Sequence, residues 1–257
     1  SPCWLTAAFE NCTFQIAGDP PNAPGPANST IHDEWTRLIE RELYKKAGIT
    51  GYVYDTNSDA GIAALDLNHT PTKGCRPSTY GELNHTRIFE HPSFALKQGD
   101  TLVDLGSGVG KAVMGAALFY GASAIGIELS DMRFKRACQA LKGLEQALQT
   151  EACGVHCKRG AAMHGKVQML HANVLEVELT NVTAVTMFAN CFPRELQLEL
   201  QHKLLRELPL GARVHTTDNS GWDKKLVLGG REFSLIPRAG MVLYRVEARP
   251  DNGLLEL

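Results

Sequence analysis

The segment Thr101-Leu102-Val103-Asp104-Leu105-Gly106-Ser107-Gly108-Val109-Gly110, followed by a second apolar run that ends at Glu128, constrains the fold of this 257-residue chain more than any other feature. Its first four residues suit a buried strand, and the three glycines let the backbone turn sharply before a helix over 111–120 begins. Strand, glycine loop, helix, strand and acid, in that order, make a nucleotide-type cofactor site. The dinucleotide fingerprint needs a third glycine three residues after the second, and Lys111 stands there instead. The spacing suits S-adenosylmethionine, which has no pyrophosphate and brings an amino-acid end to the loop. Asp104 is then placed for the ammonium group, and Gly106, Ser107, Gly108, Gly110 and Lys111 for the approach to the ligand. Glu128, 18 residues beyond Gly110, is placed for both ribose hydroxyls.

The alternation continues downstream. Strand 101–104, helix 111–120, strand 124–128, helix 132–148, strand 167–171, strand 184–189, helix 193–207 and strand 212–217 describe a doubly wound sheet. Apolar runs at 233–236 and 241–246 are spaced for an antiparallel pair at one edge, the ending of a Rossmann-like, seven-stranded class I methyltransferase in the α/β class. Upstream, Gly18 to Pro26 reads as a linker or irregular arm. A helix over about 31–47 follows, introduced by Ser29 or Thr30, with acids early, bases late and Gly48 just beyond. The domain expectation is therefore a mainly helical and irregular accessory segment over 1–76 and a catalytic domain over 77–257. Among the residues at the strand ends, Asn173 is placed either for the adenine amine or as a turn residue closing the third strand.

A net charge of −2 argues against a globally basic nucleic-acid binder. Local patches remain at Arg133, Lys135, Arg136 and Lys142 on one helix, and at Lys158, Arg159 and Lys166 after it; a solvated face is the plainer reading. No apolar run approaches transmembrane length. The seven cysteines are odd in number and scattered, which favours reduced thiols in an intracellular compartment. Asn-x-Thr triplets such as those at Asn68 and Asn84 are then chance matches. Cys153, His156, Cys157 and His164 match no standard zinc spacing, so no metal is expected. The chain opens at Ser1-Pro2 rather than at a methionine, which points to a trimmed beginning.

Thr79-Tyr80-Gly81-Glu82, the loop from Asp104 to Gly110, Glu128 and Asn190-Cys191-Phe192 together resemble the disruptor-of-telomeric-silencing (Dot-type, non-SET) family of histone H3 lysine methyltransferases. The resemblance covers roughly residues 77 to 247. It implies that Tyr80, Gly81 and Glu82 form a lid over the methionine part of the cofactor, that Glu128 binds the ribose, and that Asn173 stands where the family has an acid against adenine. It implies a lysine tunnel bordered by Tyr80 and Asn190 and walled by Phe192 and Tyr244, with Trp222 a weaker candidate. The family usually has two asparagines before the aromatic, and Cys191 replaces the second. The implied product is S-adenosylhomocysteine, the implied partner the nucleosome and its histone H3, with local DNA contact through the basic patches, and the implied location nuclear. Two other readings stand beside it. Asn190-Cys191-Phe192-Pro193 loosely matches the motif of methyltransferases acting on nucleic-acid bases or glutamine amides, and a non-catalytic cofactor-binding chromatin module is the third.

Overall fold

Thr101–Leu105 (β2) is apolar on both faces because helices cover both sides of the sheet it centres. The computed structural model describes residues 10–16, 31–51, 84–149, 165–236 and 242–249. Nine strands form one sheet: β1 (Glu10–Gln15), β2, β3 (Ser123–Glu128), β4 (Lys166–His171), β5 (Ala184–Met187), β6 (Arg213–Thr216), β7 (Val227–Leu228), β8 (Arg231–Ile236) and β9 (Val242–Ala248). Their order is β1-β4-β3-β2-β5-β6-β9-β8-β7. The run from β4 to β6 is parallel, and β9, β8 and β7 add antiparallel strands at one edge. All seven expected strands are present, and their order reverses between β2 and β5. The crevice at that switch point lies beside the glycine loop.

Two additions were not expected. β7 is a short extension, and β1 pairs antiparallel with β4, so residues 10–15 belong to the sheet. β1 is fastened twice, by its ladder and by a disulfide from Cys12 to Cys138 in the helix Asp131–Gln149, 126 residues away, with the two Cα atoms 5.9 Å apart. Cys191 is also disulfide-bonded. The expectation of reduced thiols is therefore corrected for Cys12, Cys138 and Cys191. Scatter along the chain hid the pairing, because a bridge across 126 residues leaves no local spacing to read.

The helices are α1 (Ile31–Trp35), which runs on as a π-helix over Thr36–Lys45, then α2 (His85–Phe89), α3 (Lys111–Tyr120), α4 (Asp131–Gln149) and α5 (Arg194–Glu207). The expected helix at 31–47 is thus present with a wider second part, and it ends where Gly48 turns at φ 65°. Strand alternation sorts the core. Leu102, Ala124, Val167 and Ala184 face α3, α4 and the N-terminal helix, while Val103, Ile125, Val185 and Val214 face α5. On the first side Trp35 lies so close to Gly115 of α3 that a Cβ there would stand 1.9 Å from its ring.

Candidate cofactor and methyl-transfer site

Three left-handed glycines shape the loop after β2. Gly106, Gly108 and Gly110 have φ of 78°, 56° and 84°, a region that other residues adopt only with strain. The amides of Gly106 and Ser107 both donate to Ile127 O, at 2.9 and 3.0 Å, which folds the loop back onto β3. An added Cβ at Gly110 would stand 3.1 Å from Met169 Sδ, so that side chain would have to give way by a few tenths of an ångström.

Glu128 closes the loop from the end of β3. One carboxylate oxygen accepts from Gly108 N at 2.7 Å and the other from Ser130 N at 2.8 Å. Each oxygen keeps further acceptor capacity for a ligand hydroxyl. Asp104 is different. Its carboxylate is buried, no hydrogen-bond donor among the described residues reaches it, and burial together with the nearby Glu128 pushes its pKa up to about 7. A buried carboxylate without a cation is costly, and the ammonium of an amino-acid ligand removes that cost. Ser107 adds a buried hydroxyl with no hydrogen-bond partner among the described residues, lying over Gly126. The unsatisfied carboxylate, the left-handed glycines and the orphaned hydroxyl fit the amino-acid and ribose ends of S-adenosylmethionine.

Asp104, Thr186 and His215 sit side by side on β2, β5 and β6 in one row of the register. Thr186 Oγ1 lies 3.2 Å from His215 Nδ1, and burial pushes the His215 pKa down to about 4, so this imidazole is neutral near neutral pH. The wall of the carboxylate is thus polar and uncharged on that side.

Lys111, expected at the cofactor, also reaches the N-terminal helix. Its ammonium pairs with Glu40 at 2.6 Å and lies 5.1 Å from the centre of the Tyr44 ring. Tyr44 in turn donates its hydroxyl to Val109 O at 2.7 Å. The N-terminal helix therefore braces the glycine loop from outside.

After β5, Ala189–Cys191 forms a 3-10 turn that carries Asn190 and delivers Phe192. The Phe192 ring lies over Gly106, where an added Cβ would be 3.1 Å from it. Gln197, which the sequence reading missed, organises this turn. Its buried amide donates to Phe192 O (3.1 Å), Ala189 O (3.4 Å) and Asp218 (3.3 Å), and it accepts from Gly221 N (3.0 Å). The available signal was a glutamine with Leu200, Gln201 and Leu204 at i+3, i+4 and i+7 from it on the inward face of the helix.

Tyr244 is in β9 opposite Val214, two residues below the end of β6. It stacks on Trp222 with ring centres 4.8 Å apart, touches Phe233 at 5.7 Å, and accepts from Asn219 Nδ2. Among the described residues no ring contact joins it to Phe192. Asn173 Oδ1 accepts from Leu175 N at 3.0 Å, the geometry of the turn alternative. Tyr80, Gly81 and Glu82 lie outside the described residues, as do Lys158 and Arg159 and the cluster from Cys153 to His164.

The basic patch on α4 needs correcting. Arg133 donates from Nε to Gly51 O at 2.9 Å, Arg136 donates to Thr50 O at 2.7 Å, and Lys135 pairs with Asp131 at 2.7 Å. Arg133 is buried. These guanidinium groups hold the end of the N-terminal helical segment against α4, which leaves Lys135 and Lys142 as the exposed bases of the patch.

The profile of the family described as Histone methylation protein DOT1 matches residues 65–227. The chain belongs to this DOT1 family. It is 31% identical over 136 residues to a protein-lysine N-methyltransferase of Saccharolobus islandicus, covering 52% of this chain and 72% of that one. It is 30% identical over 228 residues to the H3 lysine-79 specific histone-lysine N-methyltransferase of Caenorhabditis elegans. That match covers 86% of this chain and 22% of the nematode protein, so the chain spans about a fifth of that relative's length. A solved RNA methyltransferase from Salinibacter ruber, bound to S-adenosylhomocysteine, overlaps 67% of this chain and 94% of its own at 21% identity and a TM-score of 0.44. The architecture is that of class I S-adenosylmethionine-dependent methyltransferases, and membership in the DOT1 family makes S-adenosylmethionine the cofactor. Among the described residues no helix is long and apolar enough to cross a membrane.

Proposed function

We propose that this DOT1-family chain transfers a methyl group from S-adenosylmethionine to a lysine of histone H3 in the nucleosome. The observation that carries the cofactor half is the buried Asp104 carboxylate, which no hydrogen-bond donor among the described residues reaches, at the head of a loop of left-handed glycines. Family membership and the named activities of the two relatives support the lysine half.

The bound cofactor supplies a sulfonium methyl that is already electrophilic. The residues of the chain then have to hold it and orient the amine. Asp104 takes the ammonium end, Glu128 the ribose, and the Gly106–Gly110 backbone the close approach between them. Phe192, over Gly106, and Asn190 beside it form one wall of the entry for the lysine side chain; the lid role of Tyr80, Gly81 and Glu82 rests on the family resemblance alone. Tyr244, stacked with Trp222, lines the flank below. A free lysine has a pKa of about 10.4 and reacts only as the neutral amine, so an apolar entry helps by disfavouring the charged form. Orienting that amine in line supplies the remainder, and no strong base is required.

Family membership points to a role in chromatin. A nucleosomal substrate would place the working enzyme in the nucleus, and contact with nucleosomal DNA would have to use surfaces other than Arg133 and Arg136. The test is transfer of radiolabelled methyl from S-adenosylmethionine to recombinant nucleosomes, with wild type beside Gly108→Arg, both checked for folding by circular dichroism. Label on histone H3 that is absent in the variant is the expected result. No label on H3 from a wild type that binds the cofactor would rule out the histone assignment.

A further inference from the structure

We propose that Asn11, Asn84 and Asn181 are N-glycan attachment sites and that this chain folds in an oxidising, glycosylating lumen. Five of its eleven asparagines head an Asn-x-Thr triplet: Asn11, Asn28, Asn68, Asn84 and Asn181. With 17 threonines in 257 residues, chance would give roughly one such triplet. Triplets of this kind are acceptors only on chains that enter the secretory route.

The structure adds two observations that a count alone does not supply. All three of the triplet asparagines within the described residues are exposed. Asn11 is on the edge strand β1, Asn84 precedes α2, and Asn181 is in the turn leading to β5. Asn84 uses its Oδ1 to accept from Arg87 N and the Thr86 hydroxyl, which leaves Nδ2, the atom that takes a sugar, outside those bonds. Thr86 and Thr183 have structural hydrogen bonds of their own, to Asn84 and to Asp100 and Thr101. Those bonds account for the two threonines and for Asn84, which caps α2, but among the described residues they do not account for Asn181.

The second observation is the cysteines. Cys12 lies inside the triplet Asn11-Cys12-Thr13, and strand alternation turns it inward to bridge Cys138 while Asn11 faces out. Cys191 is bridged as well. Disulfides persist in oxidising compartments and are rare where glutathione keeps thiols reduced. Each bridge forms as two thiols give two protons and two electrons to a disulfide-bearing oxidoreductase. Each glycan is joined as an amide Nδ2 loses a proton and bonds to C1 of a lipid-linked oligosaccharide, whose C1–O bond to pyrophosphate breaks. Neither step involves the methyl-transfer site. The lysine chemistry stands unchanged, but a lumenal or extracellular chain does not meet nuclear chromatin, so this address competes with the proposed nucleosomal substrate, and the experiment reads the two separately.

The native protein, isolated from its source cells, is digested with and without peptide-N-glycosidase in heavy-oxygen water, and its thiols are alkylated before and after reduction. The expected result is heavy aspartate at one or more of positions 11, 84 and 181, with Cys12 and Cys138 alkylated only after reduction. Unmodified asparagine at all three positions, or free thiols at Cys12 and Cys138, overturns the proposal. Asparagine to glutamine at each position that yields heavy aspartate should remove one glycan. Methyl transfer to nucleosomes is read on the same preparation: its absence from a glycosylated, cofactor-binding protein refutes the histone substrate and leaves the glycans standing.

Discussion

Replacing Asp104 by asparagine should stabilise the empty protein above neutral pH and weaken its grip on the cofactor. The Asp104 pKa rises from 3.8 to about 7, with burial as the larger cause and Glu128 the smaller. A carboxyl whose folded pKa lies above its unfolded value binds more protons in the folded state between those values. Its contribution to stability therefore falls as pH rises through that window. Each tenfold change in a proton-binding equilibrium is worth about 1.4 kcal/mol, so the ionised carboxylate costs the empty protein roughly 2–3 kcal/mol between about pH 5 and pH 8. His215 works in the opposite sense. Its pKa drops from 6.5 to about 4, so its contribution is lost as pH falls through that range. Urea unfolding of wild type and Asp104→Asn at about pH 5 and pH 8 cancels the His215 contribution in the difference. The variant's advantage should grow by roughly 2–3 kcal/mol from the lower pH to the higher. Calorimetric titration with S-adenosylmethionine reads the other half. Wild-type affinity should improve about tenfold per pH step of one until pH ~7 and then level off, whereas the variant should be weaker by roughly 2–4 kcal/mol and nearly insensitive to pH. A variant that binds the cofactor as wild type does, or a wild-type affinity that is flat from about pH 5.5 to 7, would refute the role given to Asp104.

Phe192→Ala removes the ring over Gly106 and leaves Asp104 and Glu128 in place, so single-turnover methyl transfer should fall about 100-fold while the cofactor dissociation constant changes less than about fivefold. Equal losses in both would remove Phe192 from the methyl-transfer step. Gly115→Ala drives a Cβ to within 1.9 Å of the buried Trp35 ring and should cost roughly 1–3 kcal/mol in urea unfolding. A change within about 0.5 kcal/mol of wild type would show that the ring has room to move.

The central sheet was legible because its parallel strands are buried on both faces and therefore appear as short, nearly unbroken apolar runs between turn signals. Helix 111–120 begins and ends where the glycines dictate. The cofactor loop was legible for a related reason: glycine at three alternate positions has few other uses at the end of a buried strand. What escaped depended on contacts between distant residues. β1 is short and half exposed, with Asn, Cys and Thr among its six residues, and only its pairing with β4 and its bridge to Cys138 make it a strand of this sheet. Arg133 and Arg136 looked like a solvated basic face, yet their partners are carbonyls 82 and 86 residues upstream. Lys111 fell in the loop by sequence position, but the acid and the ring that hold it come from the N-terminal helix. Gln197 carried no motif at all, and its importance lies in four hydrogen bonds to two loops that meet only in the folded chain.

The contact from Tyr44 to Val109 bears on how a working fragment of this enzyme can be cut. A fragment trimmed to the family-matched region, residues 65–227, would keep the glycines and lose the hydroxyl that pins their backbone, the acid that holds Lys111, and strands β8 and β9. Such a fragment would show the recognisable motif with its support removed, and a negative assay on it would report on the cut rather than on the catalyst.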